Sequence, residues 1–573
     1  MGTEFAVLKS VFFAAVLSVA ASVSARPAAA VRVLCDRPGD WNFNTVERTD
    51  ADGVRFVTVS AASPVAAPVP PFKVEIKVPN VGCEAVWNPN YGCAENLTML
   101  PWWGTVFNIA RTQPLRAFIG RSDVNRLTVA AGELRRTVGF DLGFDEGSFS
   151  WNATLSCFNE PSEPLKDYAL EVRLDAREIP FAAAVKAAAD WQAAKTAAPA
   201  VPPEAAYGAL YSTWYNFHKD VNAAKIESEC ERAAALGMKT VILDDGWQCD
   251  DTDGGYASCG DWEISTKRFP DMRAHVAKIH ALGMKYVVWF SMPFVGERTK
   301  AYARFKDKML RKAPGLGCWV LDPRFPEVRA YLRDVYLRAL RAWDIDGFKL
   351  DFVDSFGLEG EPDPAVAQDY AGRDCKSVPD GVEKLLKEVT EALNAEKPGL
   401  LFEFRQAYVG PEIRRYGNMM RVGDCPGSPL RNRVHIANLR LLCGGSAVHA
   451  DMLRWNEACS VREAQWNVLN CLFGVIQYSI VLKDASPEMQ AMLKKWIAFA
   501  EEHRETLLKG RFTPHRPDLN YPVVEAESDT ERIVVVYDPA FRFGLEPTDK
   551  RTLVIDATTG AVTDGRKNGF ANE

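Results

Sequence analysis

The sequence predicts a multidomain protein: an N-terminal β-sandwich, a central (β/α)8 TIM barrel and a small C-terminal antiparallel β domain. Three observations carry this reading. From Tyr207 onward, strand-like and helix-like stretches alternate through eight units within fewer than about 300 residues, the length and rhythm of a barrel. Before it, from Val31 to Val172, short runs alternate polar and apolar residues with period two and are broken by Gly, Pro and Asp. After a helical stretch from Pro487 to His503, the chain returns to short strands such as Ile533-Val534-Val535-Val536-Tyr537 and Thr552-Leu553-Val554-Ile555. A doubly wound sheet would need a Gly-rich phosphate loop after a strand, and the sequence has none.

Residues 1–25 read as a secretory signal. Lys9 precedes an apolar stretch from Val11 to Ala21, and Val23-Ser24-Ala25 supplies small residues for cleavage before Arg26. A secreted or periplasmic protein is therefore expected, and the apolar stretch is too short to remain as a stable membrane anchor. Residues 26–178 form the predicted sandwich, with strands such as Phe72-Lys73-Val74-Glu75-Ile76-Lys77-Val78. Residues 179–205 form a helical linker, Ala-rich up to Lys195 and then Ala/Pro-rich without periodicity. Residues 206–486 hold the barrel, whose strands are placed at 208–214, 240–245, 285–290, 346–351, 399–405, 419–424, 446–451 and 472–480. Helical patterns lie at 223–236, 272–282, 327–342 and 434–443. Residues 487–573 form a helix and the C-terminal β domain.

Composition narrows the chemistry. With 47% hydrophobic and 25% charged residues the chain is an ordinary globular protein, and a net charge of -7 with no basic run gives no reason to expect a nucleic acid partner. Export makes disulfides allowed among the 13 cysteines, with Cys83/Cys93 and Cys249/Cys259 as the leading pairs. No Cys-x-x-Cys pair is present, which argues against a structural zinc site. The oligomeric state stays open, a homo-oligomer included.

The C-terminal ends of barrel strands converge on one rim. Here those ends present Trp214, then Asp244 and Asp245 with Trp247, then Trp289, then Lys349 and Asp351. Glu403 and Arg405, Asp424, and His449 with Asp451 follow. Alternation along a strand places Lys349 and Asp351 on one face, where an ammonium favours an ionised carboxylate. Two carboxylates flanking one bond are the standard apparatus of glycosidic cleavage, and Asp351 leads a candidate set that includes Asp244, Asp245 and Asp424. The competing reading is a set of salt-bridged plugs, but so many buried carboxylates with few cations would be costly. Each Trp has a core role as its alternative. His449 and Asp451 have ligand spacing, yet no second His stands beside them, so hydrogen-bonding roles are expected and no metal.

Tyr211-Ser212-Thr213-Trp214-Tyr215, Leu243-Asp244-Asp245-Gly246-Trp247, Ile279-His280-Ala281-Leu282-Gly283-Met284-Lys285 with Trp289-Phe290, and Lys349-Leu350-Asp351 resemble the motif series of melibiase-type α-galactosidases, glycoside hydrolase family 36. The resemblance runs from Tyr207 to Asp451. It implies a clan D retaining exo-α-glycosidase acting on terminal α-linked galactose of an oligosaccharide or glycan, without metal or organic cofactor. Asp351 would be the nucleophile and Asp424 the general acid/base, its pKa raised. Asp244, Asp245 and Lys349 would bind sugar hydroxyls, and Trp214 and Trp289 would shape the pocket, with Trp247, Arg405 and Asp451 as further substrate-binding residues. Leu350 replaces the family's aromatic, and Glu403-Phe404-Arg405-Gln406 replaces its Cys-Ser-Gly-Gly stretch. Arg405, Arg431 and Arg433 are expected to orient the acid/base rather than bind a charged sugar. The alternatives are an α-N-acetylgalactosaminidase or other α-glycosidase on this barrel, or a non-catalytic carbohydrate-binding relative.

Overall fold

A computed structural model describes residues 29–90, 102–250, 255–358, 371–541, 543–545 and 547–565. The expected signal segment and Cys93 lie outside these residues. The N-terminal part is a sandwich of a five-stranded and a six-stranded sheet. Strand Phe72–Pro79 shows why it forms: Phe72, Val74, Ile76 and Val78 are buried while Lys73 and Lys77 face water. The inward side chains meet those of the opposite sheet, with Phe118 against Trp151. Helix Phe181–Ala193 follows, its alanines packed without side-chain entropy cost. Gln192 Nε2 ties it to the sandwich through Pro114 O and Ala131 O at 3.1 and 2.8 Å.

The barrel strands are β1 (Leu210–Ser212), β2 (Thr240–Leu243), β3 (Lys285–Ser291), β4 (Gly347–Asp351), β5 (Leu401–Arg405), β6 (Met419–Arg421), β7 (Ala447–His449) and β8 (Gln477–Tyr478). They are parallel and in sequence order, β8 pairing β1. A bridge between His449 and Val475 closes the ring. All eight expected strands are present, each shorter than its expected span except β3, which runs one residue further to Ser291.

Alternation sorts the interior into layers. At the strands' N-terminal ends Leu210, Ile242, Val287, Leu401, Met419 and Ala447 make a dry apolar plug with Tyr207. One layer up, register aligns Trp289, Lys349 and Glu403. Above that lie Asp351, Arg405 and Arg421. The barrel is thus sealed at one end and charged at the other.

Outer helices cover the ring. Helix Pro326–Trp343 buries Val328, Leu332, Val335, Ala339 and Trp343, a stripe at helical spacing. Helix Val378–Glu396, with Val382, Leu385, Leu386, Val389 and Leu393 inward, and helix Val461–Asn470 were not among the sequence expectations. Neither was the three-stranded antiparallel sheet of Phe294–Gly296, Met309–Ala313 and Cys318–Leu321 inserted after β3. Helix Pro487–Glu502 leads to a five-stranded C-terminal sheet. Its pairs are antiparallel except Glu531–Val536 with Arg551–Asp556, which is parallel.

The expected Cys249–Cys259 bridge does not form. Cys259 is a buried thiol taking a contact from Gln248 Nε2 at 3.7 Å. No helix among the described residues is long and apolar enough to cross a membrane.

Candidate active site

Asp351 ends β4 at the charged mouth of the ring and is almost fully buried. Four donors converge on it. Oδ1 accepts from Arg405 Nε at 2.6 Å, Phe352 N at 2.8 Å and Tyr408 OH at 3.2 Å. Among the described residues, Oδ2 accepts only from Trp289 Nε1, at 3.0 Å. Burial alone would favour the neutral acid, but the charges of Arg405 and Lys349 and the Trp289 bond prevail and hold the carboxyl well below the usual range. It is an ionised carboxylate with one lightly occupied oxygen.

Asp424 lies three residues beyond the end of β6, its side chain 55% exposed, and accepts from Arg421 Nη2 at 2.8 Å. Its charge interacts with that of Asp351, and Arg405 faces both. The two acids therefore lie near enough at the barrel mouth for their charges to interact. The expectation of a raised pKa is overturned: burial would raise it and Asp351 adds to that, yet Arg421 and Arg405 outweigh them and lower it. The cation that decides this sits on the same strand, hidden in the Met-Met-Arg run.

Arg421 is the residue that sequence reasoning missed. Fully buried, it donates to Asp424 and, through Nη1, to Asp451 Oδ1 at 2.6 Å, with Nε 3.7 Å from Glu403 Oε1. The available signal was its register: two positions from Met419 in a barrel strand, it must share the inward face.

The other expected site residues separate into groups. Lys349 is buried and donates to Asp244 Oδ2 at 2.6 Å, so its direct partner is across the barrel rather than Asp351. Asp244 in turn accepts from Asp245 N at 2.9 Å. Asp245 accepts from Gln248 Nε2 at 2.6 Å, with Lys219 Nζ 3.7 Å away. Its burial, only partly offset by those two groups, lifts its pKa to about 6. Tyr256, a second residue the sequence did not single out, stacks on Trp289 and feels the charges of Asp351, Asp245 and Asp244. Trp214 is half-buried at the start of a short helix after β1, edge-on to His218.

Three expectations place side chains away from the cleft. Trp247 is fully buried among Phe290, Trp262 and Trp343, donating to Trp289 O at 2.9 Å, and is a core residue. Asp451 is fully buried too: Tyr215 OH, Cys425 N and Arg421 occupy its carboxylate, leaving it a bracing role. Arg433 binds Asn470 Oδ1 and Asn520 O and lies over Tyr537, so it fastens the C-terminal domain instead of orienting the acid/base. Arg431 is exposed on its helix. His449 is buried, its Nε2 on Ala206 O at 2.8 Å, and burial pushes its pKa down to about 4.

The site thus lies in a parallel barrel with carboxylates and guanidinium groups gathered at its C-terminal mouth, flanked by β domains. Residues 204–403 match the model of the Melibiase family. Over 214 residues the chain is 28% identical to an α-galactosidase of Lactobacillus acidophilus, covering 36% of this chain and 29% of that one. Over 326 residues it is 26% identical to the α-galactosidase AgaA of Geobacillus stearothermophilus, covering 53% and 42%. The matches thus span less than half the length of these relatives. The fold is similar to the crystal structure of an α-galactosidase from Lactobacillus brevis, with a TM-score of 0.64 at 16% identity over 87% of this chain and 74% of that one. It is likewise similar to the family 36 enzyme AgaA, with a TM-score of 0.63 at 14% identity over 87% and 76%. Over residues 204–403 the chain thus matches the Melibiase family, and its fold is similar to those of family 36 α-galactosidases.

Proposed function

We infer that the protein is a retaining exo-α-galactosidase, removing terminal α-linked galactose from oligosaccharides or glycans. One observation carries the reading: Asp351, kept ionised by Arg405 and Trp289, stands at the barrel mouth where its charge reaches the more exposed Asp424. Asp351 Oδ2 attacks the anomeric carbon as Asp424 gives its proton to the departing oxygen, forming a β-linked glycosyl-enzyme. Asp424 then takes a proton from water, which attacks the same carbon and releases Asp351 with net retention. Lys349, Asp244 and Asp245 supply the paired donors and acceptors that recognise ring hydroxyls. Relatives support the sugar: variants of AgaA form crystalline complexes with raffinose and with stachyose.

A second reading changes only the 2-substituent. A Flavonifractor plautii protein named as a blood-group galactosaminidase is 26% identical over 178 residues, 27% of this chain and 15% of that one. A hydroxyl-sensitive pocket discriminates such sugars strongly. The test is a panel of nitrophenyl α-glycosides, including galactose and its 2-amino and 2-acetamido forms, with Asp351→Ala and Asp424→Ala alongside. Both variants should lose at least about 100-fold in kcat on the preferred glycoside. Azide should rescue Asp351→Ala as the β-glycosyl azide, taking the place of the nucleophile, and Asp424→Ala as the α-glycosyl azide, by attack on the β-linked glycosyl-enzyme. Full activity in either variant removes that residue from the mechanism.

A further inference from the structure

The backbone around Asp424 is tied from both sides. Val422 N donates to His449 O at 3.0 Å, Gly423 N to Gln406 Oε1 at 3.1 Å, and Cys425 N to Asp451 Oδ2 at 2.7 Å. The residues before and after Asp424 thus end on side-chain acceptors. Asp451 is fixed within the barrel by Arg421 and Tyr215. Gln406, just beyond β5, reaches outside it: its Nε2 donates to Pro89 O at 3.2 Å, following the sandwich's edge strand Ala85–Trp87. Gln406 is buried, so water does not replace either bond cheaply.

The sandwich segment that delivers Pro89 is anchored nearby. Trp87 Nε1 donates to Asn438 Oδ1 at 3.1 Å, on helix Pro429–Leu442, which begins five residues after Asp424. Tyr521 OH, from the C-terminal part, donates to the same oxygen at 2.8 Å. The sandwich therefore grips this barrel unit at two buried points.

We propose that Gln406 is the positioning residue for Asp424, and that through it the docked sandwich domain sets where the acid/base stands. This rests on Asp424 being the acid/base. Proton transfer needs the acid within about 2.6–3.2 Å of the departing oxygen. The Asp424 side chain is more than half exposed and has Arg421 as its bonded partner, so its placement depends on its backbone. Gly423, with no Cβ to restrict it, leaves that backbone reliant on outside ties.

A displaced acid matters only where the leaving group needs a proton. The test compares kcat/KM of the full chain and its Gln406→Ala, Gln406→Asn and Asp424→Ala variants on 2,4-dinitrophenyl and methyl α-galactosides. Gln406→Ala should lose about tenfold or more on the methyl glycoside, but less than about threefold on the dinitrophenyl glycoside. Gln406→Asn, which shortens both reaches, should show the same selective loss and serves should the alanine variant not fold. Equal losses on both substrates, or none, overturn the proposal. Asp424→Ala distinguishes the two levels: if it shows no leaving-group dependence, Asp424 is not the acid, and the functional reading and this proposal fall together. If it does and neither Gln406 variant does, only the positioning role falls.

Discussion

Arg405 Nε stands 2.6 Å from Asp351 Oδ1, on the oxygen that also accepts from Phe352 N and Tyr408 OH. This pairing divides the labour between the two oxygens. Oδ1 is anchored, and Oδ2, with the Trp289 indole as its bonded donor, is left to attack. A carboxylate so heavily solvated by fixed donors is a good leaving group as well as a stable anion, which would favour breakdown of the proposed glycosyl-enzyme.

Replacing that guanidinium should reveal its charge. Arg405→Met removes the strongest influence favouring the ionised form of Asp351, while burial still favours the neutral acid. The acidic limb of the kcat/KM profile should move up by about 1–2 pH units, with kcat reduced by about 100-fold. Arg405→Lys should recover part of the shift. A pH–rate profile checks this, and an unmoved acidic limb would show that Arg405 does not tune the nucleophile.

Arg421 makes the opposite kind of prediction, about the other acid. Because Arg421 and Arg405 hold the free Asp424 pKa below its ordinary value, the protonated acid is scarce at neutral pH in the free enzyme. The alkaline limb of kcat/KM should therefore fall on the acid side of neutrality. Arg421→Lys, with its charge kept but its fork lost, should shift that limb upward by about one unit. The methyl glycoside, which needs the proton most, is the substrate on which to measure it.

The barrel was readable because its strands are apolar runs ending in charge, and the sandwich because Phe72–Pro79 and its neighbours alternate cleanly. The convergence of Asp351, Lys349, Asp244 and Arg405 followed from topology alone. What the chain concealed were partners. Lys349 looked like a neighbour of Asp351 but bonds Asp244 across the ring. Asp451 reads as a rim residue until Arg421, Tyr215 and Cys425 N are seen to occupy it. Trp247 follows two site aspartates, yet its ring turns into the layer behind Trp289. Strand position shows which face a side chain leaves from, not which opposite charge or cavity it meets.

Asp245 links recognition to stability. Its folded pKa of about 6, raised chiefly by burial, exceeds the unfolded value of about 3.9. The neutral form is thus favoured by folding, and this contribution is fully present below about pH 4 and lost as pH rises through 6. Asp245→Asn cannot ionise. Relative to the parent, it should gain about 1–3 kcal/mol of stability between pH 4 and pH 8, read from urea midpoints at each pH. Identical pH dependence in the two proteins would show that Lys219 and Gln248 compensate fully for burial.

Trp247 separates packing from recognition. Trp247→Phe deletes the bond from Nε1 to Trp289 O and leaves space among Phe290, Trp262 and Trp343. The loss of one buried hydrogen bond and part of a ring should cost about 1–3 kcal/mol. Trp289, whose indole holds Asp351 Oδ2, rests on that bond, so kcat should fall a few-fold while KM for a nitrophenyl α-galactoside stays within about twofold. Denaturant unfolding and steady-state kinetics on the same preparation check both halves. A tenfold rise in KM at unchanged stability would put Trp247 in contact with the sugar and contradict its place in the core.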